Sequence, residues 1–200
     1  MLSYEQEIWK DKQLVCGIDE VGRGCMAGPL VVCSVILPIG YSNELINDSK
    51  SLSAKKRLVM YESILSDAIA IDLEVVNEVT IDDYNIYQAT KLAMEALIAR
   101  SQANYALVDA MPINSNKAVQ SIIKGDLKSI SIAAASIVAK VVRDEIMEHL
   151  DQAYPEYGLK NHKGYATKAH KEAINKYSIT NFYRRSYKPV MEVMEKFNIK

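Results

Sequence analysis

The longest apolar run of the chain, Leu30 to Leu37, is broken only by Ser34. It is far shorter than the roughly 18 residues that a membrane-spanning helix needs. Its β-branched side chains predict a buried strand. A second short apolar run, Leu14 to Asp19, precedes it. Gly22-Arg23-Gly24 marks a turn between the two, and Gly28-Pro29 ends it. The chain is thus expected to open with a hairpin-like pair of strands. After that the period changes. From Ser53 to Ile69, Leu58, Tyr61, Ile64, Leu65 and Ala68 recur at helical spacing. Ile71 to Val76 predicts a third strand. Thr80 is expected to cap a long helix with Ile86, Ala89, Ala93 and Leu97 on one face. Tyr105 to Val108 predicts a fourth strand and Ala118 to Ile123 a fifth. Ile130 to Leu150 predicts a helix that turns Ala134, Val138, Val141 and Val142 inward. Shorter helices and loops are expected from Pro155 to Lys200. A strand pair followed by alternating helices and strands is the pattern of a mixed α/β sheet with helices packed on it.

At 200 residues, 49% apolar and 24% charged, the chain is expected to form one domain, neither disordered nor fibrous. The opening MLSYEQEIWKDKQ has no apolar core, so no signal peptide is expected. Three cysteines, Cys16, Cys25 and Cys33, are an odd number, and two lie in apolar runs. Reduced, buried thiols and a cytoplasmic location follow. No Cys/His spacing resembles a zinc site. Net charge is −1, but it is unevenly spread. From Pro155 to Pro189 there are eight Lys and Arg against Glu156 and Glu172, a net +6, leaving −7 for the rest. Such a basic end can hold a polyanion, or can be a solvated helix face.

Four acids stand where a strand stops: Asp19 and Glu20 after the first, Asp109 after the fourth, and Asp126 after the fifth. Half-buried acids at strand ends are costly unless a cation neutralises them. Converging at one sheet edge, they would form an all-oxygen site suited to Mg²⁺ or Mn²⁺. Two such ions about 4 Å apart can drive phosphodiester hydrolysis. Each acid can also be read as a turn residue or helix cap. That reading is strongest for Asp126, although Ser129 and Ser131 compete for the same capping role. Side chains alternate along a strand, so Asp19 and Glu20 serve one centre only if the strand twists or ends there.

With those residues in view, the chain resembles the type 2 ribonucleases H (ribonuclease HII) in their bacterial single-chain form. The likeness begins at Asp19-Glu20-Val21-Gly22-Arg23-Gly24 and Ala27-Gly28-Pro29. It continues through Asp48-Ser49-Lys50-Ser51-Leu52-Ser53, Lys56-Arg57, Asn85-Ile86, Ala89-Thr90 and Val108-Asp109. Lys124-Gly125-Asp126, the run Ala133 to Lys140, and Arg143-Asp144 follow. Gly164-Tyr165-Ala166-Thr167 with His170, Arg184-Arg185-Ser186 and Pro189-Val190 complete it. The resemblance implies an RNase H-like mixed β-sheet flanked by helices, with a small C-terminal helical extension. It implies one catalytic domain over 1–200, a core to about 154 and a basic extension beyond. Its implied activity is hydrolysis of the RNA strand of RNA/DNA hybrids, and nicking of DNA 5′ to an embedded ribonucleotide. The products would be 3′-hydroxyl and 5′-phosphate ends. Two Mg²⁺ or Mn²⁺ ions would be held by Asp19, Glu20, Asp109 and Asp126. Gly22, Arg23 and Gly24 would present backbone to the ribose 2′-hydroxyl, the group that separates RNA from DNA. Tyr165 would pack on the neighbouring sugar, and Lys50, Arg185 and Ser186 would contact phosphates. Asp144 is expected in a structural ion pair with Arg143, and His170 on a helix surface. The implied partners are RNA/DNA hybrid and ribonucleotide-containing DNA, with no membrane, and the chain acting as a monomer.

The chain departs from the family pattern at Cys25, Met26, Ala110, Ala166, Tyr183 and Tyr187. Two other readings compete. A junction-resolving nuclease would also need strand-end acids, but has no use for a 2′-hydroxyl reader. A non-catalytic nucleic-acid-binding module would explain the basic segment but not the clustered acids. The related type 3 enzymes carry an extra N-terminal domain, for which a first strand near Leu14 leaves no expected room.

Overall fold

The computed structural model describes residues 2–43, 45–46 and 53–199. Lys50, with the rest of Asp48-Ser49-Lys50-Ser51-Leu52, lies outside the described residues. The elements run α1 (Ser3–Trp9), β1 (Val15–Val21), β2 (Leu30–Ile36), α2 (Ala54–Asp67), β3 (Ala70–Val76), α3 (Glu78–Arg100) and β4 (Tyr105–Asp109). They continue with β5 (Ala118–Ile122), α4 (Ile130–Ala153), α5 (Leu159–His162), α6 (Lys168–Tyr177) and α7 (Lys188–Phe197). All five expected strands form, in one sheet of order β3-β2-β1-β4-β5. β1 pairs antiparallel with β2 and parallel with β4, and β4 is parallel to β5. The C-terminal ends of β1, β4 and β5 therefore share one edge of the sheet. That is the edge at which open α/β sheets place their functional groups.

The capping and regularity of α3 differ from the sequence expectation. Thr80 does not cap α3. Asn77 accepts the Thr80 N–H at 2.8 Å and does the capping. Nor is α3 one regular helix. Asn85 sits at φ 61° and ψ 160° and breaks it. Its Oδ1 accepts the N–H groups of Tyr87 and Gln88, so Asn85 caps a second helical segment. In α2, Met60 and Ile64 are buried while Leu58 and Leu65 face solvent, a narrower apolar stripe than the spacing suggests.

The sequence pattern does not predict α1. Seven residues are too few to be helical on propensity alone, and tertiary packing makes this helix. Trp9 packs in a core cluster with Val15, Leu107, Ile122 and Ile132. Glu5 is fully buried, and its Oε1 accepts from the Ser131 N–H at 3.0 Å and from Ser129 Oγ at 2.5 Å. Ser129 Oγ in turn accepts from the Ile132 N–H. A carboxylate and a serine thus cap the start of α4, where the helix dipole favours negative charge.

The chain divides into two compact units. The first comprises Met1–Val21, Val31–Glu74 and Thr90–Val141, the second Gly22–Leu30, Val75–Ala89 and Val142–Lys200. The second has its own core, in which Met26, Ala27, Met147, Leu159, Ile174 and Val190 surround Tyr157, Phe182 and Tyr183. Cys16, Cys25 and Cys33 are buried, and none is in a disulfide. Among the described residues no helix is long and apolar enough to cross a membrane.

Ala110 directly follows β4 at φ 44°, in the left-handed region that favours glycine. Ala110→Gly is expected to stabilise by up to about 1 kcal/mol, the relieved strain being partly offset by added freedom of the unfolded chain. Urea unfolding of the two proteins measures the difference.

Candidate active site

The acids of the first unit lie at the shared edge. One step beyond the paired residues Ile18 and Val108 come Asp19 and Asp109. Asp109 itself pairs with Ile122, the last residue of β5. The chain then turns through Lys124, at φ 56°, and the Gly125 N–H donates to Asp109 Oδ1 at 2.6 Å. Asp126 follows, buried in a single 3₁₀ turn, Gly125–Leu127. Asp19 is buried, and its Oδ1 accepts the Glu20 N–H at 2.7 Å. Burial raises the Asp19 pKa well above the ordinary carboxylate range, and repulsion from Glu20 and Asp109 adds to it. Asp19, Glu20 and Asp109 therefore share one electrostatic environment, even though 19 and 20 alternate along β1. As they stand, no three acid, histidine or cysteine side chains among the described residues are gathered closely enough to ligate one ion. The donor set is nonetheless carboxylate oxygen throughout, crowded and partly shielded. That chemistry fits Mg²⁺ or Mn²⁺.

In the second unit, the glycine-rich turn is held by buried arginines. Gly22 has φ 106°, and a Cβ there would fall 2.2 Å from Arg143 Nε. Only glycine allows this approach. Arg143 is fully buried, and burial lowers its pKa. Its guanidinium donates to the carbonyls of Pro29, Lys163 and Ala27 at 2.9, 2.8 and 3.2 Å. Arg143 is thus a clamp on backbone carbonyls rather than simply the ion-pair partner of its neighbour Asp144. Arg184 is also fully buried. It donates twice to the Gly28 carbonyl and once to that of Arg23, which also accepts from Tyr187 Oη. The Arg23 and Gly24 residues stay exposed. Cys25 forms an isolated β-bridge with Tyr165, and the Tyr165 ring faces Gly24 at 3.8 Å from the position a Cβ would take. The structure thus brings Gly22-Arg23-Gly24 and the half-exposed Tyr165 together.

Two sequence expectations in this unit change. His170 is not on a helix surface; it is fully buried. Its ring stacks on that of His162 with centroids 3.9 Å apart. The Arg184-Arg185-Ser186 segment also reads differently. Arg184 is committed to carbonyls. The N–H groups of Arg185 and Ser186, and the Ser186 hydroxyl, donate to the Asp82 carboxylate at 2.8, 2.9 and 2.6 Å. Asp82 was invisible as a partner because it lies more than a hundred residues away. Of the other basic residues, Lys163 pairs with Glu148 at 2.6 Å and Lys160 approaches Asp151 at 3.8 Å. Acids outside the segment therefore offset part of its +6.

Burial pushes the His170 pKa down from 6.5 to about 4. The native state keeps the imidazole neutral where the unfolded chain takes up a proton. Its contribution to stability is complete above pH 6.5 and is lost as pH falls towards 4, in all about 3 kcal/mol. Unfolding free energies of wild type and His170→Asn are expected to converge as pH falls from 7 to 5.

The chain matches the family model of ribonuclease HII over residues 16–190. A ribonuclease HII of Enterococcus faecalis is 47% identical over 197 residues, covering 97% of this chain and 77% of that protein. One from Acholeplasma laidlawii is 46% identical over 97% of each. The crystal structure of the ribonuclease H2 from Pyrococcus horikoshii OT3 matches with a TM-score of 0.78 at 25% identity, covering 94% of this chain and 100% of that one. The fold is accordingly the α/β fold of the ribonucleases H, with the expected mixed sheet flanked by helices. The chain belongs to the ribonuclease HII family, and with it to the metal-dependent ribonuclease H enzymes.

Proposed function

We propose that the protein hydrolyses the RNA strand of RNA/DNA hybrids and nicks DNA 5′ to an embedded ribonucleotide, leaving 3′-hydroxyl and 5′-phosphate ends. The observation that carries this reading is the buried Asp19, whose charge is opposed by Glu20 and Asp109 at the ends of parallel strands. Such repulsion is relieved when a divalent cation is shared. Asp19, Glu20, Asp109 and Asp126 would hold two Mg²⁺ or Mn²⁺ ions, after rotamer changes that bring their oxygens together. Bound there, the ions supply activation of water and neutralisation of the leaving oxygen. The Gly125 N–H keeps Asp109 oriented. Gly22 follows Glu20 by two residues, so the cutting and reading residues are adjacent in sequence. The Gly22-Arg23-Gly24 backbone accepts or donates to the 2′-hydroxyl, and Tyr165 packs on the adjoining sugar. Reduced, buried cysteines agree with a cytoplasmic site of action, where the chain works as a monomer.

Cleavage of three matched duplexes in Mg²⁺ or Mn²⁺ tests the proposal. One is all DNA, one carries a single ribonucleotide, and one is an RNA/DNA hybrid. Cutting of the last two and sparing of the first is expected. Cutting of the all-DNA duplex would point to a junction- or DNA-directed nuclease instead.

Lys50 and Arg185 are proposed phosphate contacts; Ser186 fits that role only if Asp82 releases its hydroxyl. Arg185→Ala is expected to flatten the dependence of log affinity on log salt by about one unit. An unchanged slope would place Arg185 in solvent, away from phosphate.

A further inference from the structure

We propose that His170, backed by His162, is a positioning residue that fixes the backbone of Tyr165, and hence the pose of its ring toward the ribose. The inference rests on the reading of Tyr165 as a sugar contact. It is carried by hydrogen bonds that leave each imidazole only one arrangement. His170 Nδ1 lies 2.9 Å from the Tyr165 carbonyl, which can only accept, so Nδ1 carries the proton. His170 Nε2 is then an acceptor, and Tyr183 Oη lies 2.9 Å away to donate to it. His162 is fixed in the opposite sense. Its Nε2 lies 2.9 Å from the Tyr157 carbonyl and must donate, while its Nδ1 accepts from the Gly164 N–H at 3.3 Å. The two rings stack with an interplanar angle of 17°.

These bonds enclose Tyr165 on both sides. Its N–H donates to the His162 carbonyl, and its carbonyl accepts from His170 Nδ1 and from the Thr167 N–H. Thr167 Oγ1 in turn accepts from the His170 N–H and caps α6. Tyr165 as a whole is 45% exposed, so its side chain remains within reach of a ligand. Tyr183, one of the departures from the family pattern, completes the chain of bonds by orienting His170.

Two substitutions separate the contacts. In His170→Asn the amide nitrogen takes the place of Nδ1 and can still donate to the Tyr165 carbonyl. In His170→Gln the polar end takes the place of Nε2, and the bond to Tyr165 is lost. The measured quantity is kcat/KM on the single-ribonucleotide duplex divided by kcat/KM on the RNA/DNA hybrid, with folding checked by Tm. His170→Gln is expected to lower this ratio about five-fold, and His170→Asn to hold it within about two-fold of wild type. In a Tyr165→Ala background, His170→Gln is expected to add less than about two-fold, because both changes act on one contact. Full additivity, or an equal loss in the Asn variant, would overturn the proposal while leaving Tyr165 as reader. If Tyr165→Ala itself leaves the ratio unchanged, Tyr165 is no sugar contact and both readings fall. A measurement on wild-type protein stands apart from folding of the variants. Imidazole ¹⁵N shifts are expected to show a proton on Nδ1 of His170 and on Nε2 of His162. The reverse tautomers would overturn it.

Discussion

Asp109→Asn is expected to lower kcat on a ribonucleotide-containing duplex by about a thousand-fold or more, corresponding to about 4 kcal/mol of transition-state stabilisation. The asparagine keeps the shape and can still accept the Gly125 N–H through its amide oxygen. It removes one negative charge from a group that already repels Asp19. The fold should therefore survive, and without metal it should be at least as stable as wild type. Added Mg²⁺ should raise the Tm of wild type and not of the variant. Near-normal turnover by the variant would take Asp109 out of the reaction.

Gly17→Ala is expected to destabilise the protein by about 3 kcal/mol or more, lowering Tm by about 10 °C. Gly17 lies in β1, two residues before Asp19, between Val35 of β2 and Leu107 of β4. A Cβ at this position would fall 2.0 Å from the Ser131 carbonyl carbon and 2.2 Å from the Ile132 nitrogen. Both are backbone atoms at the start of α4, and neither can move as a side-chain tip can. The helix would have to shift off the strand, breaking the capping bonds of Glu5 and Ser129 and the cluster around Trp9 and Ile132. Thermal unfolding followed by circular dichroism gives the shift. A Tm within about 2 °C of wild type would show that the strand and helix can separate at little cost.

How much of this was legible in the sequence depended on range. β1 and β4 are legible because their apolar runs stop at Asp19 and Asp109, and those acids mark one edge of the sheet. The helix starts at Asn77 and Asn85 are not legible because Asn, Thr and Ser all cap helices, and only backbone geometry decides which of them does so. Glu5, Arg143 and Asp82 are not legible as structural partners for a different reason. Glu5 caps a helix 126 residues away, and Asp82 holds an amide 104 residues away. Arg143 sits beside Asp144 in the sequence, yet its donors go to carbonyls of two other loops. A polar residue in a sequence shows its charge but not the carbonyl that will satisfy it. Arg184 illustrates the cost of reading charge alone. It counted toward a basic surface, and the fold buries it against the glycine-rich turn.

The central claim is that Asp19, Glu20, Asp109 and Asp126 gather around divalent cations. Crystals of the protein soaked in Mn²⁺ and measured near the manganese absorption edge test it most directly. The account predicts anomalous density ligated by oxygens of these four residues, and its loss in Asp109→Asn. Manganese bound elsewhere, or the same density in wild type and variant, would contradict it.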